Sequence, residues 1–180
     1  MAEDRTTEGS TCEPDESNAS NEKLTATAYH EAGHAVVALS LGRPIKKVTI
    51  QAGNSQAGDR MLGSCQIQKG RTKPSKTAFE DEILILFAGM VAESMATGQY
   101  CPRGAGLDLR MIRRMLASRG DSERQIEKQQ RRLLDKTENL LDQPSHTAAV
   151  KSIAEELIRN KTISGRAAKH FFQQAVDQNK

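Results

Sequence analysis

The sequence predicts a mainly α protein with a small β-sheet, an α+β fold, and three observations carry that expectation. Aromatic residues are only 3% of the 180 and Trp is absent, so a core must be built from Leu, Ile, Ala, Val and Met, a set that favours helices. From Thr77 onward Leu and Ile recur at helical spacing between charged residues, punctuated by Gly98, Gly120 and Pro144. The β-branched run Ile45-Lys46-Lys47-Val48-Thr49-Ile50 has the length and composition of a strand.

Taken in order, residues 1–23 are rich in Ser, Thr, Asn, Glu and Asp and nearly free of large apolar groups. Such a segment cannot bury enough surface to offset the entropy of ordering, so it reads as a disordered acidic tail before a domain spanning 24–178. Thr25 to Leu41 reads as one helix of small apolar residues, stopped by Gly42 and Pro44. Two strands follow, Ile45–Ile50 and a weaker one at Met61–Ile67, separated by the polar stretch from Ala52 to Arg60; a further short strand is expected without a locatable position. Lys69 to Ser75 is a basic turn region, and Thr77-Ala78-Phe79-Glu80 reads as a capping box opening a helix to about Thr97. Apolar residues cover much of that helix's circumference, which makes it central. After the Gly-containing loop Gln99–Leu107, helices are expected over about Asp108–Ser118, Ser122–Leu141 and His146–Arg159, with a last one capped by Ser164 and running to about Asp177.

Composition removes several classes of function. Net charge is +3, but the first 22 residues hold seven acids against Arg5, which leaves the remainder at +9. The basic residues between Arg103 and Arg132 read as solvated helix faces, and without interleaved aromatics they give no support for specific nucleic-acid binding. Three scattered Cys, at 12, 65 and 101, argue against a disulfide framework and for a reducing, cytoplasmic setting. The longest apolar run, Ile83 to Ala88, is far too short for a membrane span, and no secretory signal opens the chain.

The chemistry lies in the first helix. His30-Glu31-Ala32-Gly33-His34 places two imidazoles four residues apart, on one helix face, where both can reach one metal ion. Glu31 projects from the neighbouring face, suited to act as a base on water held by that metal. This is the equipment of a zinc hydrolase, here a zincin-like metal helix packed on a helical bundle. Gly33 inside the helix suggests that another backbone passes close by.

A catalytic zinc takes three protein ligands, and the extended spacing with a third His is absent, since Ser40 stands there. His146 and His170 read as surface or boundary residues of late helices. Asp108, at the mouth of a helix, and Glu93, in the central helix, are equal candidates on physical grounds. Each has a second reading: Asp108 as a helix-dipole partner, Glu93 as a carboxylate orienting a ligand His. Cys101 is chemically possible but precedes Pro102 and has no partner. For an oxyanion donor, Tyr29 and Tyr100 are the available side chains, and both read better as packing residues.

Three segments occur in a telling order: Tyr29-His30-Glu31-Ala32-Gly33-His34-Ala35-Val36, Phe87-Ala88-Gly89-Met90-Val91-Ala92-Glu93 and Gly104-Ala105-Gly106-Leu107-Asp108-Leu109. Together they resemble the peptidase domain of FtsH-type ATP-dependent zinc metalloproteases. Ile153-Ala154-Glu155-Glu156-Leu157-Ile158 and Thr162-Ile163-Ser164-Gly165 resemble that family's ending, for coverage from about Leu24 to Phe172. The chain departs from the family pattern at Ala88, Met90, Gly106 and Leu107.

The resemblance implies that Asp108 completes a metal site with His30 and His34, and that Glu93 supports it. It implies a zinc-dependent metalloendopeptidase acting on polypeptides, with Glu31 as general base on zinc-bound water. Family members also carry a transmembrane segment and an ATPase module; no Gly-x-x-x-x-Gly-Lys-Ser/Thr loop occurs here, so the resemblance is to the peptidase domain standing alone. A separate ATPase or a homo-oligomer is then a possible partner. The competing class is a metal-stabilised interaction module that has kept the fold without proteolysis. The presence of Glu31 weighs against it, because a module freed of catalysis has no use for that residue.

Overall fold

The structure, a computed structural model, describes residues 16–54, 60–68, 78–102 and 104–179. Two buried helices form its centre. α1 (Glu16–Ser40) carries Ala28, Ala32, Ala35, Val36, Val37 and Ala38, all buried, and α2 (Ala78–Thr97) is buried without interruption from Ile83 to Glu93. A helix apolar all round has no solvent face to offer, so the other elements wrap these two. The α1–α2 contact is the most extensive between any two elements, and its closeness has a local cause at Gly33. A Cβ built there would lie 2.3 Å from the Ala88 carbonyl oxygen and 2.5 Å from the Ala92 Cβ. The glycine expected to admit a passing backbone admits α2.

α1 begins at Glu16, nine residues before the expected start at Thr25. Once the buried turns are formed, each further residue adds a hydrogen bond without repeating the nucleation cost, so a polar segment can extend an anchored helix. Thr25 and Thr27 return their hydroxyls to the carbonyls of Asn21 and Lys23, one turn earlier. The expected disordered tail therefore meets helix over 16–23, while residues 1–15 lie outside the described residues.

β1 (Ile45–Thr49) is the middle of a three-stranded antiparallel sheet, between β4 (Ser64–Ile67) and β5 (Thr162–Ser164). β5 is the strand expected without a position: three residues between helices leave no readable alternation. Its Thr162 faces Thr49, with the two hydroxyls 2.6 Å apart. β2 (Gly53–Asn54) and β3 (Arg60–Met61) form a separate short pair, so the predicted second strand is divided between β3 and β4. The basic turn at Lys69–Ser75 and Thr77, the first residue of the expected capping box, lie outside the described residues. Glu80 of that box reaches α4 (Glu123–Leu141), where its oxygens meet Arg132 at 3.2 Å and Lys136 at 2.6 Å.

α3 spans Gly106–Ala117, and Ser122 caps α4 with its backbone N–H donating to the Gln125 side chain at 2.8 Å. Pro144 starts α5 (Pro144–Asn160) at a position where a missing N–H costs nothing. Ser164 caps α6 (Gly165–Gln178) by accepting the Ala167 N–H. His146, expected at the surface or its boundary, is buried: its Nδ1–H donates to the Leu140 carbonyl at 2.6 Å and its ring stacks on Phe172. His170 is exposed, as expected.

Gly33→Ala tests the central contact. Overpacking against a backbone carbonyl costs roughly 1–3 kcal/mol or more, and only about 1 kcal/mol returns as helix propensity. Urea denaturation is expected to show a net loss on the order of 2 kcal/mol.

Candidate metal centre

The site forms where α1, α2, the start of α3 and β4 surround a cleft of about 870 Å³. His30 and His34 stand one turn apart on α1, their rings edge to face with centroids 4.7 Å apart. α2 holds the outer nitrogen of each ring. His30 Nδ1–H donates to Glu93 Oε2 at 3.1 Å, and His34 Nδ1–H donates to the Ile85 carbonyl at 2.7 Å. That leaves Nε2 of each ring turned toward Asp108, at 3.1 and 3.5 Å from its Oδ2.

Asp108 gets there because it lies in the first turn of α3, just after the loop through Gly104 and Ala105. One ligand atom from each of His30, His34 and Asp108 lies within 4.8 Å of the other two. The two acids left open by the residues alone now separate: Asp108 faces the inner nitrogens, and Glu93 holds an outer one. Cys101 lines the same cleft without joining this cluster.

The charges follow from burial and neighbours. Burial by itself would raise the Asp108 carboxyl, but His34 and His30 outweigh it together and hold the group well below the usual carboxylate range. Burial opposes charge on His30, yet its hydrogen bonds to Asp108 and Glu93, with Glu31 nearby, raise it to about 10. Glu31 goes the other way, as burial raises its carboxyl by more than the two histidines lower it. Asp108 thus supplies negative charge at the inner nitrogens, the position a cation would take.

These residues fit a small divalent ion such as zinc. Two imidazoles and one carboxylate are the ligand types zinc accepts in catalytic sites, with room for a further ligand. The outer shell is complete, through Glu93 and the Ile85 carbonyl. Glu31 is 6% exposed, and its Oε2 has no hydrogen-bond partner among the described residues. A buried oxygen left without a partner is costly unless something arrives to use it.

Other residues shape the site without a signal that sequence reasoning used. The Ile85 carbonyl is backbone and carries no residue signature. Gly89 in α2 lies against both imidazoles, and Gly63, just before β4, lies against the Glu31 carboxylate: a Cβ at Gly63 would sit 2.6 Å from Glu31 Oε1. A glycine inside an apolar helix was the available clue to Gly89. Cys65 on β4 borders the cleft, its thiol pushed up by burial and then by Glu31. Of the two tyrosines, Tyr100 donates its hydroxyl to the Glu138 carboxylate on α4, and neither Tyr29 nor Tyr100 lines the cleft.

Comparison with known proteins gives the family of the chain. Residues 17–124 match the pattern of peptidase family M41, a span running from α1 through α3. It stops short of Phe172, the expected limit, so nearly all of α4 and the whole of α5, β5 and α6 fall outside it. The chain is 37% identical over 110 residues to the ATP-dependent zinc metalloprotease FtsH of Magnetococcus marinus, which covers 58% of this chain and 16% of that protein. It is 39% identical over 110 residues to the ATP-dependent zinc metalloprotease FtsH 1 of Thermomicrobium roseum, covering 57% and 16%. The chain therefore spans about a sixth of the length of these curated relatives.

Glu93→Ala removes the side chain that holds the outer nitrogen of the His30 ring. Metal affinity, measured by competition with a chromophoric chelator, is expected to fall about 10–100-fold while helicity is kept. Unchanged affinity would mean that the Glu93 contact does not orient the ring.

Proposed function

The chain belongs to peptidase family M41, and from that premise we propose that it is a zinc-dependent metalloendopeptidase that hydrolyses unfolded polypeptides and peptides. The observation that carries the reading is the convergence of His30 Nε2, His34 Nε2 and the Asp108 carboxylate, beside a buried Glu31 oxygen that lacks a partner. His30, His34 and Asp108 would hold the ion. When bound, zinc supplies a Lewis acid for the scissile carbonyl and lowers the pKa of water.

Glu31 takes the proton from the attacking water and later delivers it to the leaving amine. Burial raises its carboxyl above the usual range, which makes it a stronger base toward that water. Glu93 and the Ile85 carbonyl keep the two rings in place throughout. Burial of Glu31 excludes bulk solvent from the proton's path.

An extended peptide is the substrate shape the cleft favours. Among the described residues β4 pairs only with β1, its other edge has no described strand beside it, and Leu62 to Cys65 and Ile67 border the cleft. A substrate segment added to that edge is held by main-chain hydrogen bonds, which accept many sequences. The relatives are named ATP-dependent, whereas residues 1–180 contain no phosphate-loop motif. Unfolding of a folded substrate would therefore draw on an ATPase outside these residues, and assembly with it or with further copies of the chain fits the same reading. No described helix is long and apolar enough to cross a membrane. The free thiols of Cys65 and Cys101 support a reducing, cytoplasmic setting.

The test is casein hydrolysis without ATP, beside metal analysis. Wild type is expected to carry about one zinc per chain and to cleave casein, with cleavage abolished by a chelator. Glu31→Gln is expected to keep its zinc and lose activity by roughly 10²–10⁴-fold. Asp108→Ala is expected to lose the zinc. Full activity in Glu31→Gln, or undiminished zinc in Asp108→Ala, defeats the assignment.

A further inference from the structure

Ile85, Gly89 and Glu93 are spaced four apart on α2, so they form one stripe of that helix, and the stripe lies along His30 and His34 of α1. Its two ends hold the outer ring nitrogens, through the Ile85 carbonyl and the Glu93 carboxylate. Its middle is Gly89. A Cβ built on Gly89 would lie 2.6 Å from Nε2 of His30 and 2.6 Å from Nε2 of His34, and 2.7 Å from His30 Cε1. These are the nitrogens that face Asp108. A single methyl group would thus intrude on both imidazole donors at once, at contacts shorter than real Cβ atoms make.

We propose that Gly89 is a positioning residue for the metal: its missing side chain leaves the space into which both Nε2 atoms converge, and ion binding requires it while folding does not. The inference rests on the reading of His30, His34 and Asp108 as ligands.

The contrast with Gly33 gives the physical reason. At Gly33 the atoms in the way are a backbone carbonyl and an alanine Cβ, so a side chain there forces the two helices apart. At Gly89 the atoms in the way are the tips of two histidines, which can swing on their own side-chain torsions. The rings can yield, and α1 and α2 can stay packed. A ring that swings leaves its outer hydrogen bond and turns Nε2 away from Asp108. The same flexibility that spares the fold removes the site. Alanine is also the better helix former, so nothing in the helix itself opposes the change.

The experiment compares wild type, Gly89→Ala and Gly33→Ala as full chains, by thermal melting with a chelator and with added zinc, and by chelator competition for zinc affinity. A ligand that binds only the folded state raises its melting temperature, so zinc binding is read as an increment. Gly89→Ala is expected to melt close to chelator-treated wild type, to gain no zinc increment, and to bind zinc at least about 100-fold more weakly. Gly33→Ala is expected to melt lower under both conditions. A wild-type zinc increment in Gly89→Ala overturns the proposal. So does a Gly89→Ala chain that melts far below chelator-treated wild type, because the position would then serve packing. If wild type itself shows no increment, the ligand assignment fails first and this inference with it.

Discussion

The structure depends on how closely α1 and α2 approach each other. Gly33 lets the α2 backbone come within a distance that any side chain would prevent, and Ala88 and Ala92 keep the facing surface low. That approach fixes a register in which positions 30 and 34 of one helix meet positions 85, 89 and 93 of the other. Buried helices packed at interior density do not slide by fractions of a turn, so the backbone positions that carry the imidazoles inherit the rigidity of the core. The two imidazoles are set across the most extensive contact among the described elements, with Asp108 brought to them by the first turn of α3.

Electrostatics then divides the labour among three carboxylates close together. Asp108 is held ionised by two histidines, whereas Glu31 is pushed toward neutrality by burial. Glu93 has neither task and holds one ring. The same group in two environments, one beside histidines and one buried, is thus shifted in opposite directions. The glycines contribute by leaving room: Gly63 for the Glu31 carboxylate and Gly104 for Glu93, where a Cβ would lie 3.0 Å from Oε2.

The part of the chain that matches the family and the part that does not are structurally joined. α5 packs along α1, and β5 completes the sheet whose central strand also carries β4, the border of the cleft. Gly165, the first residue of α6, presses against β1 so tightly that a Cβ would fall 1.8 Å from the Ile45 carbonyl oxygen. The C-terminal third thus supports α1 from behind, and none of its described residues lines the cleft.

By itself the sequence determined the elements whose cause is local. The spacing of His30 and His34 put both rings on one face of a helix, the apolar circumference of residues 79–95 marked a central helix, and Ser122 and Ser164 announced helix starts. Glu31 was legible too, because its place beside the histidines is a matter of helix geometry alone. Tertiary structure decided everything that needs two distant segments at once. The residues left Asp108 and Glu93 equivalent until folding set one against the inner nitrogens and the other against an outer one. It also decided the Ile85 carbonyl, the burial of His146, the three-residue strand β5 and the place of Gly89 against both imidazoles. Local order follows from periodicity along the chain, but a contact across 50 to 80 residues depends on which surfaces pack, and no spacing records that.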